Sequence, residues 1–68
     1  MPIVEITMVE GRTADQKKAL LRSVTDAIVG SLSVPQSNVR IILREIPTAH
    51  FAVGGEAKFA PSTAGIDD

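Results

Sequence analysis

A capping signal and a proline bracket the middle of this chain and leave it little choice of architecture. Thr13-Ala14-Asp15-Gln16 has the Ser/Thr-x-x-Glu/Gln form of a capping box, in which each end satisfies the other's orphan backbone N–H. Val34-Pro35 closes the interval, because proline disfavours helical geometry at the residue before it and brings no N–H. Between these marks Leu20, Leu21, Val24, Ala27, Ile28 and Leu32 recur at helical spacing. Lys18, Arg22 and Asp26 share the opposite face, with Arg22 and Asp26 placed as an (i, i+4) pair. About twenty residues at ~1.5 Å each span about 30 Å, enough to carry the chain back to the start of whatever precedes the helix.

What precedes it alternates. Val4, Ile6 and Met8 fall on one face and Ile3, Glu5, Thr7 and Val9 on the other, the pattern of a strand over residues 3–9 that ends at Glu10-Gly11-Arg12. After the proline and a short turn, residues 39–46 are rich in β-branched side chains and nearly continuous in apolar character, as expected for a strand buried on both faces. Strand, helix and strand make a βαβ unit with parallel strands and a right-handed crossover. Beyond Pro47, His50-Phe51-Ala52-Val53 and Glu56-Ala57-Lys58-Phe59 flank Gly54-Gly55, a pair that supplies the positive φ angles of a two-residue hairpin turn. The predicted fold class is therefore α+β, a short βαβ protomer with a C-terminal β-hairpin. It is expected to be one domain over residues 1–68, in which 60–68, small and polar, form a loosely held tail.

Composition now matters, because a single helix leaves one face of the sheet uncovered. That face carries Ile3 and Val9, too much apolar surface for solvent. A chain of 68 residues buries only ~60% of its unfolded surface, and with no cysteine it has no disulfide to compensate. One histidine and no cysteine leave only carboxylates to complete a zinc site, so no metal is expected. Self-association is the remaining stabiliser. A net charge of −1, with two Phe and no Trp or Tyr, gives neither the basic excess for a phosphate backbone nor a stacking platform for bases, which argues against nucleic acid. No apolar run approaches the ~20 residues of a membrane span, and a soluble, cytoplasmic protein is expected.

The usual catalytic constellations are missing. His50 has no cysteine to pair with and reads either as a turn residue or as a lone acid–base group. Gly54-Gly55 lacks the further glycines and the lysine of a phosphate loop, and Glu45 reads as a strand-end or inter-subunit ion pair. The unusual feature is Pro2. Methionine before proline is ordinarily removed, which leaves a secondary amine at the head of a strand, a base at a fixed position. An ordinary α-amino group titrates near ~7.7–8, proline's is more basic, and apolar surroundings or cations lower either. The plain alternative is that this proline records nothing more than efficient processing.

Arg12 and Arg40 add permanent charge whose fork grips a carboxylate bidentately, which points to a small anionic substrate. Their plain alternatives are a solvated loop charge and a strand-edge ion pair. Arg44 competes with Arg40 on the same strand face, and Arg40 is preferred because it starts its strand beside the Pro2 end of a parallel pair. Pro2 and Arg12 flank a strand of about eight residues, roughly 26 Å at ~3.3 Å per residue, so a site using both must draw Arg12 from another subunit. Phe51 offers an apolar wall, or a packed core or interface side chain.

Taken together, Pro2-Ile3, Glu10-Gly11-Arg12, Asp15-Gln16-Lys17, Ser31-Leu32, Val39-Arg40, His50-Phe51 and Gly54-Gly55-Glu56 resemble the short-chain tautomerase superfamily, the 4-oxalocrotonate (2-hydroxymuconate) tautomerases of aromatic catabolism. The likeness runs from Pro2 to Glu56. It implies a homohexamer, a trimer of dimers, with sites shared among subunits and no cofactor. It also implies that Pro2 is the general base of a keto–enol tautomerase acting on a 2-hydroxy-dienoate or 2-oxo acid. Arg40 would hold the nearer carboxylate and the 2-oxygen, Arg12 the far carboxylate, and Phe51 part of the apolar wall. Two departures stand out. Val53 occupies the position at which a related dehalogenase carries a water-activating glutamate, which disfavours hydrolytic dehalogenation, and the tail after Glu56 is longer and more acidic than the namesake's. The competing functions are a non-catalytic assembly module on the same scaffold, and a proline-based decarboxylase or hydratase of a small unsaturated acid.

Overall fold

In a computed structural model, which describes residues 1–57, the capping box forms as written. The Gln16 N–H donates to Thr13 Oγ1 at 3.0 Å and the Thr13 N–H donates to Gln16 Oε1 at 2.9 Å. Helix α1 runs Ala14–Leu32 from that cap. It ends one residue short of Val34-Pro35, at Ser33, which takes up a left-handed conformation (φ 57°) while its N–H donates to Val29 O at 3.0 Å. Replacing Thr13 by alanine is expected to cost ~1 kcal/mol of stability. Denaturant unfolding at one fixed protein concentration measures this, and an unchanged midpoint would show the cap to be energetically idle.

Strand β1, Ile3–Val9, and strand β2, Arg40–Ile46, pair in parallel, with Ile3 opposite Arg40 and Val9 opposite Ile46. The ladder continues at both ends, where the Arg40 N–H donates to Pro2 O at 3.0 Å and the Glu10 N–H to Ile46 O at 2.9 Å. One sheet face presents Val4, Ile6 and Met8 beside Ile41, Leu43 and Glu45. The helix covers this side. Leu20 shares a hollow with Met8, and Lys17 Nζ meets Glu45 Oε1 at 3.0 Å. Leu20, Leu21, Val24 and Ile28 are half-buried as the periodicity predicts, together with Thr25 and Val29. Ala27 and Leu32 are exposed instead, because they fall to the flank of that stripe and beyond the sheet's cover.

The second face presents Ile3, Glu5, Thr7 and Val9 beside Arg40, Ile42, Arg44 and Ile46, and nothing in the chain's described residues lies over it. The two-sided burial expected of β2 is therefore not reached among the described residues, where Ile42 remains 43% exposed. No described residue is fully buried. Val39, expected in β2, instead closes a short 3-10 turn at Gln36–Asn38 that follows Pro35, its N–H bonded to Gln36 O at 3.1 Å.

A second 3-10 turn, Thr48–His50, follows β2 and leads into a small antiparallel hairpin, β3 at Ala52–Val53 and β4 at Glu56–Ala57. Gly54 and Gly55 have φ of +63° and +88°, the all-positive pair that the intervening turn demands. His50 and Phe51 thus sit in and after the 3-10 turn rather than in the strand. Lys58, Phe59 and the expected tail at 60–68 lie outside the described residues. No helix among the described residues is long and apolar enough to cross a membrane.

Candidate active site

Pro2 is half-buried at the head of β1, and its carbonyl is fixed by the Arg40 N–H. The preference for Arg40 over Arg44 rested on closeness to this end, and the register places it there: Arg40 pairs with Ile3, whereas Arg44 lies opposite Thr7. Arg44 is also occupied, its Nη1 standing 3.6 Å from Glu5 Oε1.

Backbone closeness does not by itself join the Arg40 guanidinium to the Pro2 nitrogen. Arg40, opposite Ile3, belongs by strand alternation to the uncovered face. The Arg40 guanidinium turns back toward its own chain, its Nη1 donating to Ser37 O in the 3-10 turn. Arg12 lies past the other end of β1. It follows Gly11, whose φ of +131° suits the abrupt exit from the strand. It lines a hollow of about 200 Å³ with Met8, Gln16, Lys17 and Leu20. The seven paired residues of β1, a length of roughly 23 Å at ~3.3 Å per residue, lie between it and Pro2. Phe51, 37% exposed, follows the end of β2 that lies beside Val9, again away from Pro2.

A single chain therefore gathers Pro2 and the Arg40 backbone at one end of the sheet, and Arg12 with the approach to Phe51 at the other. A wider hollow of about 610 Å³ runs along the helix past Asp15, Lys18, Ala19, Leu21, Arg22 and Thr25, and none of the four expected site residues lines it.

Glu45 forms a strand-end ion pair within the chain, to Lys17. That lysine was not among the residues singled out for a role. Its signal was present, since Lys17 lies three and four residues before Leu20 and Leu21 and so falls on the apolar stripe, where a charged head needs a partner. The side chains are only about one third exposed (31% and 32%), and the pair ties the first turns of α1 to the end of β2, beside the loop that carries Arg12. The outer-face pair, Arg22 Nη1 to Asp26 Oδ1, is present at 3.3 Å. Among the described residues no cluster of metal-ligating side chains occurs.

This geometry, a βαβ unit headed by proline with arginines at both ends of its sheet, has relatives. The family model described as "Tautomerase enzyme" matches residues 2–60. The 2-hydroxymuconate tautomerase of Stutzerimonas stutzeri is 47% identical over 57 residues, covering 84% of this chain and 90% of that protein. That of Pseudomonas putida is 46% identical over 56 residues, covering 82% and 89%. Among solved structures, a heterohexameric 4-oxalocrotonate tautomerase from Chloroflexus aurantiacus superposes with a TM-score of 0.80 at 40% identity, covering 84% of this chain and 92% of that one. A 4-oxalocrotonate tautomerase isozyme from Methylibium petroleiphilum gives 0.79 at 38% identity, covering 82% and 88%. The chain belongs to the tautomerase family. It is an isomerase of the 4-oxalocrotonate tautomerase type.

Proposed function

We propose that this protein is a cofactor-independent keto–enol tautomerase of a small 2-hydroxy-dienoate or 2-oxo acid, and that the Pro2 amine, freed by removal of Met1, is its base. The observation that carries this reading is the position of Pro2. Its carbonyl is the terminal acceptor of the parallel ladder, so the nitrogen one step upstream projects from a rigid strand instead of a frayed end. In the reaction the neutral amine takes the proton of the substrate's 2-hydroxyl. The oxygen's electrons close the carbonyl, the double bonds shift along the chain, and the same proton is delivered to the distal carbon. Nothing is consumed, and the base returns to its neutral form.

The arginines supply what the amine lacks. Arg40 would bind the nearer carboxylate and the 2-oxygen on which charge develops, and Arg12 would hold the far carboxylate and draw electron density toward it. Phe51 would add an apolar wall that favours the uncharged amine. Because one chain turns the Arg40 guanidinium back onto Ser37 O and holds Arg12 beyond the far end of β1, the working site is composed of Pro2 from one copy and arginines from others. A homohexamer of the kind implied by the resemblance meets that requirement and covers the open sheet face.

The test is ketonisation of 2-hydroxymuconate by the Met-free chain across pH, with intact mass confirming the free proline. Turnover is expected to rise with pH through the titration of the amine, because its neutral form is the active one. A flat profile, or no ketonisation at any pH, would refute the proposal. Arg12→Ala is expected to raise KM roughly 10- to 100-fold for a dicarboxylate while changing a monoacid little. Equal losses on both substrates would remove Arg12 from the far carboxylate.

A further inference from the structure

The uncovered sheet face is not uniformly apolar. Ile3 is 61% and Ile42 43% exposed, with half-buried Val9 and Ile46 at the far end, and between these apolar ends lie Glu5 and Arg44. Glu5 is opposite Ile42 and Arg44 opposite Thr7, so the pair crosses the two strands diagonally near the middle of the face. Its 3.6 Å separation and its exposure, 57% and 55%, leave both groups with unused hydrogen-bonding capacity.

We infer that this face is a self-recognition surface, in which Glu5 and Arg44 of one copy pair with Arg44 and Glu5 of another and so select a second copy of this chain as the partner. The inference rests on the assembly reading given above. The apolar ends account for why the face must be covered, but they would accept any apolar sheet. The central pair supplies the discrimination. A carboxylate and a guanidinium removed from water must meet opposite charges, and a surface bearing one of each is its own complement. A sheet from a related chain with neutral residues at these two positions would leave the pair only its own long contact of 3.6 Å, and one with like charges would set charge against charge. Discrimination of this kind matters for such chains, since the related protein from Chloroflexus aurantiacus is built from non-identical subunits.

Two single charge reversals test the idea, with sedimentation and native mass spectrometry of the wild type, of each variant, and of their equimolar mixture. Glu5→Arg and Arg44→Glu should each raise the concentration for half-dissociation at least ~100-fold, because every cross-chain contact becomes like-charged. Mixed, they should restore assembly and give particles that contain both variants. Glu5→Gln, which keeps shape and removes charge, should weaken assembly roughly tenfold and guards against a reversal that merely unfolds the chain. Wild-type dissociation in the variants, or a mixture that yields no mixed particles, would overturn the inference while leaving the tautomerase assembly intact. A monomeric wild type would overturn both.

Discussion

Retention of Met1 is expected to lower kcat/KM by roughly 10²- to 10⁴-fold, the range that a positioned general base contributes. With Met1 in place the Pro2 nitrogen is an amide, which neither carries nor accepts a proton near neutrality. The experiment compares chains with and without the methionine, each verified by intact mass and matched for oligomeric state. Equal activity would rule out the proline amine as the base. Pro2→Ala complements this comparison. It leaves a free primary α-amine of lower basicity, without the ring that restrains the nitrogen, and should lower turnover strongly while still responding to pH. A Pro2→Ala enzyme as fast as the wild type would mean that the secondary amine has no special part.

Arg40→Ala should reduce kcat by about 10²- to 10³-fold, the cost of deleting one donor to an oxygen on which charge develops. The loss belongs mainly in kcat, because the 2-oxygen is held more strongly in the transition state than in the ground state. Arg40 also bonds Ser37 O, so a structural loss must be separated from a chemical one. Arg40→Lys does this, since it keeps the charge but cannot fork, and it should recover only part of the rate. Arg22→Ala, on the outer helix face and paired with Asp26, is the matched control and should leave kcat unchanged. If Arg40→Ala instead changes KM alone, Arg40 binds without assisting the chemistry.

Much of the protomer was legible because its signals are local. The capping box, the helical stripe and the alternation of residues 3–9 each sit within a few residues of the structure they specify, and α1 and β1 follow them. The errors also have local causes. Val39 looks like strand but caps the turn at Gln36–Asn38, which the preceding Pro35 sets up. The hairpin strands are shorter than the sequence alternation suggests, since His50 belongs to the 3-10 turn and Phe51 closes it. β2 reads as doubly buried, but among the described residues only one of its faces is covered.

The site was less legible for a different reason. Which face a side chain takes depends on register, and register is a long-range property. The pairing of Ile3 with Arg40 is what puts the Arg40 side chain on the uncovered face beside the Pro2 end, and neither strand alone reveals it. The same holds for Lys17 with Glu45 and Glu5 with Arg44, ion pairs between residues far apart in the chain. Each partner was visible as a charge in an apolar setting, but not the group that answers it.

The hydrogen bond from the Arg40 N–H to Pro2 O has one more consequence. It yokes Pro2 to the register of the whole sheet. An extra or missing residue at the start cannot be absorbed by sliding the strand, since a slip of one position would turn Val4, Ile6 and Met8 away from the helix and bring Ile3, Glu5 and Thr7 against it. If Pro2 is the base proposed above, the cut that frees it must fall at one peptide bond, and the greasy stripe beneath the helix is the ruler that says where the amine will stand.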